Sequence, residues 1–206
     1  MSTEHLFAFV SFALIASITP GPNNLMLMAS GSVFGLRKTA PHIFGVVFGF
    51  AVLLGAMILG LGLLLQQVPA LTATLQFAGS AWLAWLGIKL VYLAMVDTSD
   101  RDSAKPSLRT RPLYASEAAL FQWANPKALV MTASCAAAFA ALSSSVSVRL
   151  VAMITIFTVI GLFTSALWTL AGSTLSRWLD TGRRAKAAQT VMGALFIGTA
   201  VYLATL

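Results

Sequence analysis

The sequence predicts an all-α membrane protein with about six transmembrane helices, arranged as two inverted three-helix repeats whose first and fourth helices are interrupted at mid-membrane. Three observations predict it: long apolar stretches, a one-sided placement of basic residues, and two proline-centred breaks at matching points of the two halves.

Of 206 residues, 58% are hydrophobic and 9% charged. A soluble domain carries roughly 25% charged residues because its surface must face water; here most of the surface is matched to lipid. Apolar stretches run over residues 6–33, 39–65, 69–96, 114–142, 148–173 and 187–206. Each, as a helix, covers about 30 Å of hydrocarbon. Strands of a membrane barrel would be roughly 10 residues long and strictly alternating, and these stretches are neither. The first stretch is preceded by Glu4 and no cation, and no small-residue cleavage site follows it. It is expected to stay as the first span rather than to act as a secretory signal.

A net charge of +7 raises the question of nucleic acid. The positions of the charges answer it. Arg37 and Lys38 follow the first span; Arg101, Lys105, Arg109 and Arg111 the third; Arg177, Arg183, Arg184 and Lys186 the fifth. Ten of the 13 basic residues thus fall on one face, against Arg149 alone on the other. That is the asymmetry of cytoplasmic loops, so no nucleic-acid partner is expected. Both termini are expected outside the cytoplasm, and the lipid bilayer is the surrounding phase.

The linker at 97–111 divides the chain, giving a first repeat at 1–103 and a second at 104–206. With three spans in each, the second repeat is inverted, as recurs in secondary transporters. Each repeat carries its strongest helix breaker in its first span: Thr19-Pro20-Gly21-Pro22-Asn23-Asn24 in one, Asn125-Pro126-Lys127 in the other. Counted from the start of each span, the breaks come after about 21 Å and about 18 Å of helix. Entered from opposite faces, both reach the midplane. In span two, Gly45 and Gly49 form a GxxxG pair, which serves either packing within the bundle or a homodimer interface. The aromatic residues Trp82, Trp85, Tyr92, Trp123, Trp168 and Trp178 are read as packing or interfacial belt residues.

Proline removes an amide donor and clashes one turn back, so Pro20 and Pro22 must interrupt the first span. Unpaired backbone groups are tolerated at such depth only inside protein or beside a watery cavity. The carbonyls of Ser17, Ile18 and Thr19 then attract a cation such as an ammonium, and the amides after Pro22 an anion such as a carboxylate. A kink lined by its own asparagines is the plain alternative. Lys127 is the second outlier, since a lysine at bilayer depth costs roughly 2.5–3.5 kcal/mol. It binds a carboxylate, or carries a proton, or snorkels, or bonds the carbonyls freed by Pro126. Gln122 and Asn125 complete a polar lining. The candidate substrate-binding residues are therefore Thr19, Pro20, Gly21, Pro22, Asn23 and Asn24 with Gln122, Asn125, Pro126 and Lys127.

A single cysteine, Cys135, excludes an internal disulfide or a multi-cysteine metal site. No Walker A loop, HExxH or GxSxG motif is present, and no span holds a carboxylate pair. Catalytic residues, cofactors and metal ligands are accordingly not expected, and an ATP-driven pump is excluded within this chain.

TPGPNN at Thr19–Asn24 and QWANPKA at Gln122–Ala128 resemble the two motifs of the LysE/RhtB family of amino-acid exporters. WLAWLGIK at Trp82–Lys89 and LWTLAG at Leu167–Gly172 extend the likeness over the whole chain, which looks most like the cysteine/O-acetylserine exporter branch. The resemblance implies antiport of an amino-acid-like substrate across the bacterial inner membrane, with protons as the coupling ion. Many family members have an acidic residue where this chain has Asn23, so a carboxylate relay there is not implied. The competing readings are a transporter of another small metabolite or cation, and a non-transport membrane scaffold whose polar groups at the breaks satisfy one another without a cavity.

Overall fold

The computed structural model describes residues 3–61, 67–95, 111–178 and 183–204. All but the last residue of the expected linker, the boundary between the halves, and the basic residues Arg101, Lys105 and Arg109 lie outside the described residues. Among the described residues seven α-helices follow in order: α1 (Thr3–Ile18), α2 (Pro22–Ala56), α3 (Pro69–Met95), α4 (Ala115–Ala124), α5 (Pro126–Ala138), α6 (Val146–Trp178) and α7 (Arg183–Ala204). A π turn at Met57–Leu61 extends α2, and a 3-10 turn at Ala140–Leu142 follows α5. There is no strand among the described residues.

Both expected breaks are present. The first lies between α1 and α2, over Thr19, Pro20 and Gly21, and the second is the single residue Asn125 between α4 and α5. Pro22 and Pro126 open the helices that follow, where a missing amide and a fixed φ suit the first turn.

The turn between the first two apolar stretches is tighter than the sequence suggests. Gly35 alone leaves helical geometry, at φ 73° and ψ 172°, a left-handed conformation that a side chain resists. Arg37 and Lys38 already belong to the next helical arm and are exposed. The chain folds back at this point: the Ser30 and Thr39 hydroxyls, nine residues apart, hydrogen-bond at 3.0 Å. In a continuous helix they would stand about 13 Å apart along the axis. Pro41 lies inside the second arm, which continues past it.

The first arm, 22–34, crosses α6 almost backbone to backbone. A Cβ on Gly31 would fall on the Thr169 backbone, and one on Gly172 on the Met28 backbone. The second arm, 36–56, packs on α4 through Gly45 and Gly49, whose missing side chains make room for the Ala115 and Ala119 backbones. The GxxxG pair is thus spent on packing within the chain. Alongside this bundle, α3 and α7 pair with each other, and Phe196 and Ala200 of α7 close over Leu25 of the first arm.

Two stretches among the described residues are long and apolar enough to cross a bilayer: Pro22–Leu61, divided at Gly35, and Val146–Leu175. The outer surface is apolar to match. Phe7, Phe48, Leu59 and Leu120 are between 67% and 75% exposed, a surface that water would reject and hydrocarbon accepts.

Candidate functional site

The ten candidate residues converge from 100 residues apart in sequence, and the partners they find were not legible in advance. α1 ends because Pro20 cannot continue it, and the Thr19 hydroxyl turns back to donate to the Ile15 and Ala16 carbonyls at 2.7 and 3.0 Å. The carbonyls left over are then met one by one. Asn24 Nδ2 donates to Ser17 O and Thr19 O, both at 2.8 Å. Trp168 Nε1 of α6 donates to Ile18 O at 3.2 Å. Lys127 Nζ donates to Thr19 O at 2.7 Å and lies 3.5 Å from Pro20 O.

The ammonium that these carbonyls were expected to attract is therefore, in this structure, Lys127's own. Its stem crosses directly over Gly21: a Cβ there would come within 2.6 Å of Lys127 Cδ. Gly21 has extended backbone, at φ −173°, so space rather than conformation is what its small size provides. The N-cap of α2 is Gly21, which has no side chain to cap the first turn, and that helix end is a place for an anion.

The second break is organised differently. Asn125, 2% exposed, accepts the Lys127 amide on Oδ1 at 3.1 Å and so caps α5 itself. Gln122, fully buried, makes a reciprocal amide pair with Asn23: Asn23 Nδ2 donates to Gln122 Oε1 at 2.7 Å, and Gln122 Nε2 donates back to Asn23 Oδ1 at 3.3 Å. The same Nε2 donates to Ala118 O at 2.8 Å. The two breaks are thus joined twice, once by Lys127 and once by this amide pair.

Between them lies an open cleft. One part of its wall is polar: Ser17, Asn23, Asn24, Asn125 and Lys127, with Thr164 and Ser165 of α6. The remainder is apolar, chiefly Val46, Val47, Phe50, Met131 and Phe157. Phe50 and Phe157 continue into an aromatic cluster, with ring centroids 5.0 Å apart, and Phe157 meets Phe9 at 5.6 Å. A mainly apolar cavity with a few convergent polar groups is the usual form of a small-molecule site. The polar groups at the breaks are largely satisfied, as the scaffold reading requires, yet a cavity remains beside them, which that reading does not provide for.

Trp168, Thr164 and Ser165 were missed as site residues from sequence. The signal for Trp168 was present, since LWTLAG is one of the stretches that carries the family likeness; a tryptophan in an apolar run otherwise reads as packing. Arg149 caps the turn after α5 by donating to Ala140 O at 2.6 Å. Arg111 and Glu117 pair at the entrance to α4 at 2.8 Å, and Glu117 also accepts the Tyr114 amide at 2.9 Å. Neither pair reaches the cleft.

Fold and site together define an all-helical membrane transporter, with a cleft built where two interrupted helices meet. The chain belongs to the LysE type translocator family, whose profile matches residues 14–206. It is similar to the leucine efflux protein of Klebsiella pneumoniae, 26% identical over 94% of this chain and 92% of that one. It is also similar to the cysteine/O-acetylserine efflux protein of Escherichia coli O157:H7, 25% identical over 86% and 87% of the two chains. A leucine efflux protein from an Enterobacter species is 26% identical over 98% and 96%. No solved structure matches the chain. Proteins of this family move amino acids out across a membrane and are not enzymes.

Proposed function

We propose that the protein is a secondary exporter of amino acids or close derivatives in the bacterial inner membrane, built as two inverted three-helix repeats with six spans, and working as a proton antiporter. The observation that carries the proposal is the cleft between the two breaks. The substrate carboxylate is held by the uncapped first turn of α2 and by Lys127, its ammonium by the carbonyls ending α1, and its side chain by the wall of Val46, Phe50, Met131 and Phe157. Thr19, Pro20, Gly21, Pro22, Asn23, Asn24, Gln122, Asn125, Pro126 and Lys127 are then the binding residues. An apolar wall of this extent favours an uncharged side chain, because a charged one would be desolvated there without a partner. Proton coupling is the form of energisation that fits a chain without a nucleotide-binding motif.

Uptake of a labelled amino-acid panel into inverted vesicles, with and without a pH gradient, tests both parts. Accumulation of a neutral amino acid that collapses with the gradient is expected; accumulation indifferent to the gradient removes proton coupling, and none for any amino acid removes the substrate class. The basic asymmetry supports extracytoplasmic termini. With single cysteines in a Cys135→Ser background, an impermeant thiol reagent in whole cells should label Ser2→Cys and spare Ser103→Cys; the reverse pattern inverts the topology. A homodimer belongs to this reading as well, with its interface away from Gly45 and Gly49, which α4 already covers.

A further inference from the structure

The last carbonyls of α1 have no following helical turn to bond, and three oxygens gather round Lys127 Nζ there. Thr19 O lies at 2.7 Å, Thr19 Oγ1 at 3.4 Å and Pro20 O at 3.5 Å. A primary ammonium has three N–H donors, so this is a site with one acceptor for each. Thr19 and Pro20 are exposed, and Ser17, Gly21, Asn24 and Lys127 beside them line the cleft. The acceptors can therefore be approached from the space in which a substrate would sit.

We infer that Lys127 is a built-in stand-in for the substrate's amino group: its ammonium occupies the carbonyl cluster ending α1, and a substrate binds by displacing it. The inference rests on the transport reading above and deepens it. The exchange is balanced in charge and in hydrogen bonds, since one primary ammonium leaves the oxygens and another takes them. Lys127, still on the first turn of α5, is then released beside the incoming carboxylate. Binding one zwitterion thus exchanges a tie between α5 and α1 for two contacts with the substrate. It also gives a chemical rule of admission. A nitrogen with three N–H donors can take the cluster, and a quaternary nitrogen cannot.

The test uses the purified full-length protein and its thermal midpoint in ethylammonium chloride against tetramethylammonium chloride at equal concentration. Lys127→Ala empties the cluster and is expected to lower the midpoint by about 4 °C in the quaternary salt, the shift that one charge-assisted hydrogen bond makes in a chain of this size. Ethylammonium should restore most of that loss, while the wild type should not distinguish the two salts. Gly21→Ala is the second variant. The atoms nearest to its new methyl all belong to the flexible Lys127 side chain, so it moves the lysine aside without removing its charge, and it should acquire the same preference for ethylammonium. No preference in either variant, or an equal preference in the wild type, overturns the inference. Efflux by wild-type vesicles is measured independently, so failure of the salt test with efflux intact rejects the stand-in role alone, whereas absence of efflux rejects the transport reading.

Discussion

The two helix breaks are built on opposite plans. The second is one residue long and mends itself: Asn125 caps α5 with its own side chain, its amide reaches Gln122 O at 3.3 Å, and its carbonyl accepts from the Leu129 amide at 3.0 Å. The first is three residues long, and Ile18 O and Pro20 O take donors from α6 and α5, with Thr19 O shared between Asn24 and Lys127. A break that completes itself stays fixed when its neighbours move. A break completed by other helices reports on where those helices are. The matching sequence feature has been put to two uses: one break supplies acceptors, and the other supplies the cation that fills them.

The largest effect in this comparison should come from the residue that joins the two plans. Lys127→Met is expected to reduce amino-acid efflux by about 100-fold or more, the loss associated with removing one partner of a buried charged contact, while the protein still inserts at normal level. Efflux at the wild-type rate would show that the residue only ties α5 to α1. Next, Asn125→Ala removes a buried cap and should destabilise by about 1–2 kcal/mol, with opening confined to the start of α5 in hydrogen exchange. Opening that reaches the end of α1 would contradict a self-contained second break. Trp168→Phe keeps the ring contacts but leaves Ile18 O without its indole donor, at a cost of about 1 kcal/mol. Here exchange should rise at the end of α1, so that the two substitutions sharpen the contrast between a local and a borrowed repair. The smallest effect belongs to the amide pair. Asn23→Ala and Gln122→Ala should be non-additive in thermal stability by about 0.5–1 kcal/mol, and strict additivity would mean that the 2.7 Å contact contributes nothing.

Both breaks could be read from sequence because proline acts locally: it lacks a donor wherever it is placed. The helical class was legible for a related reason, since the length of an apolar run is a property of the run alone. What the breaks bond to was not legible. Lys127 and Thr19 are 108 residues apart and Trp168 and Ile18 150 apart, and nothing local in either segment names its partner. The sequence offered a substrate's ammonium for the α1 carbonyls because it showed acceptors and could not show that a lysine from the other half arrives first. Gly35 was hidden for another reason. Among 15 glycines, Gly35, which takes a positive φ as Gly60 also does, looks like those that only save space, and the neighbouring Arg37 and Lys38 suggested a loop where there is a single-residue turn.

The crossing of the first arm of α2 with α6 limits how this protein can move. Gly31 is seated on Thr169 and Gly172 on Met28, each against backbone, so the two rods interlock at two points and cannot slide along one another without collision. They form a strut. α1 joins that strut through three residues that hold no helix, with a lysine and an indole bonded at the junction, and it packs on α6 through Phe9, whose ring meets Phe157. A single methyl on Gly31 or Gly172 would prise the strut apart and misalign that junction, although neither glycine lines the cleft.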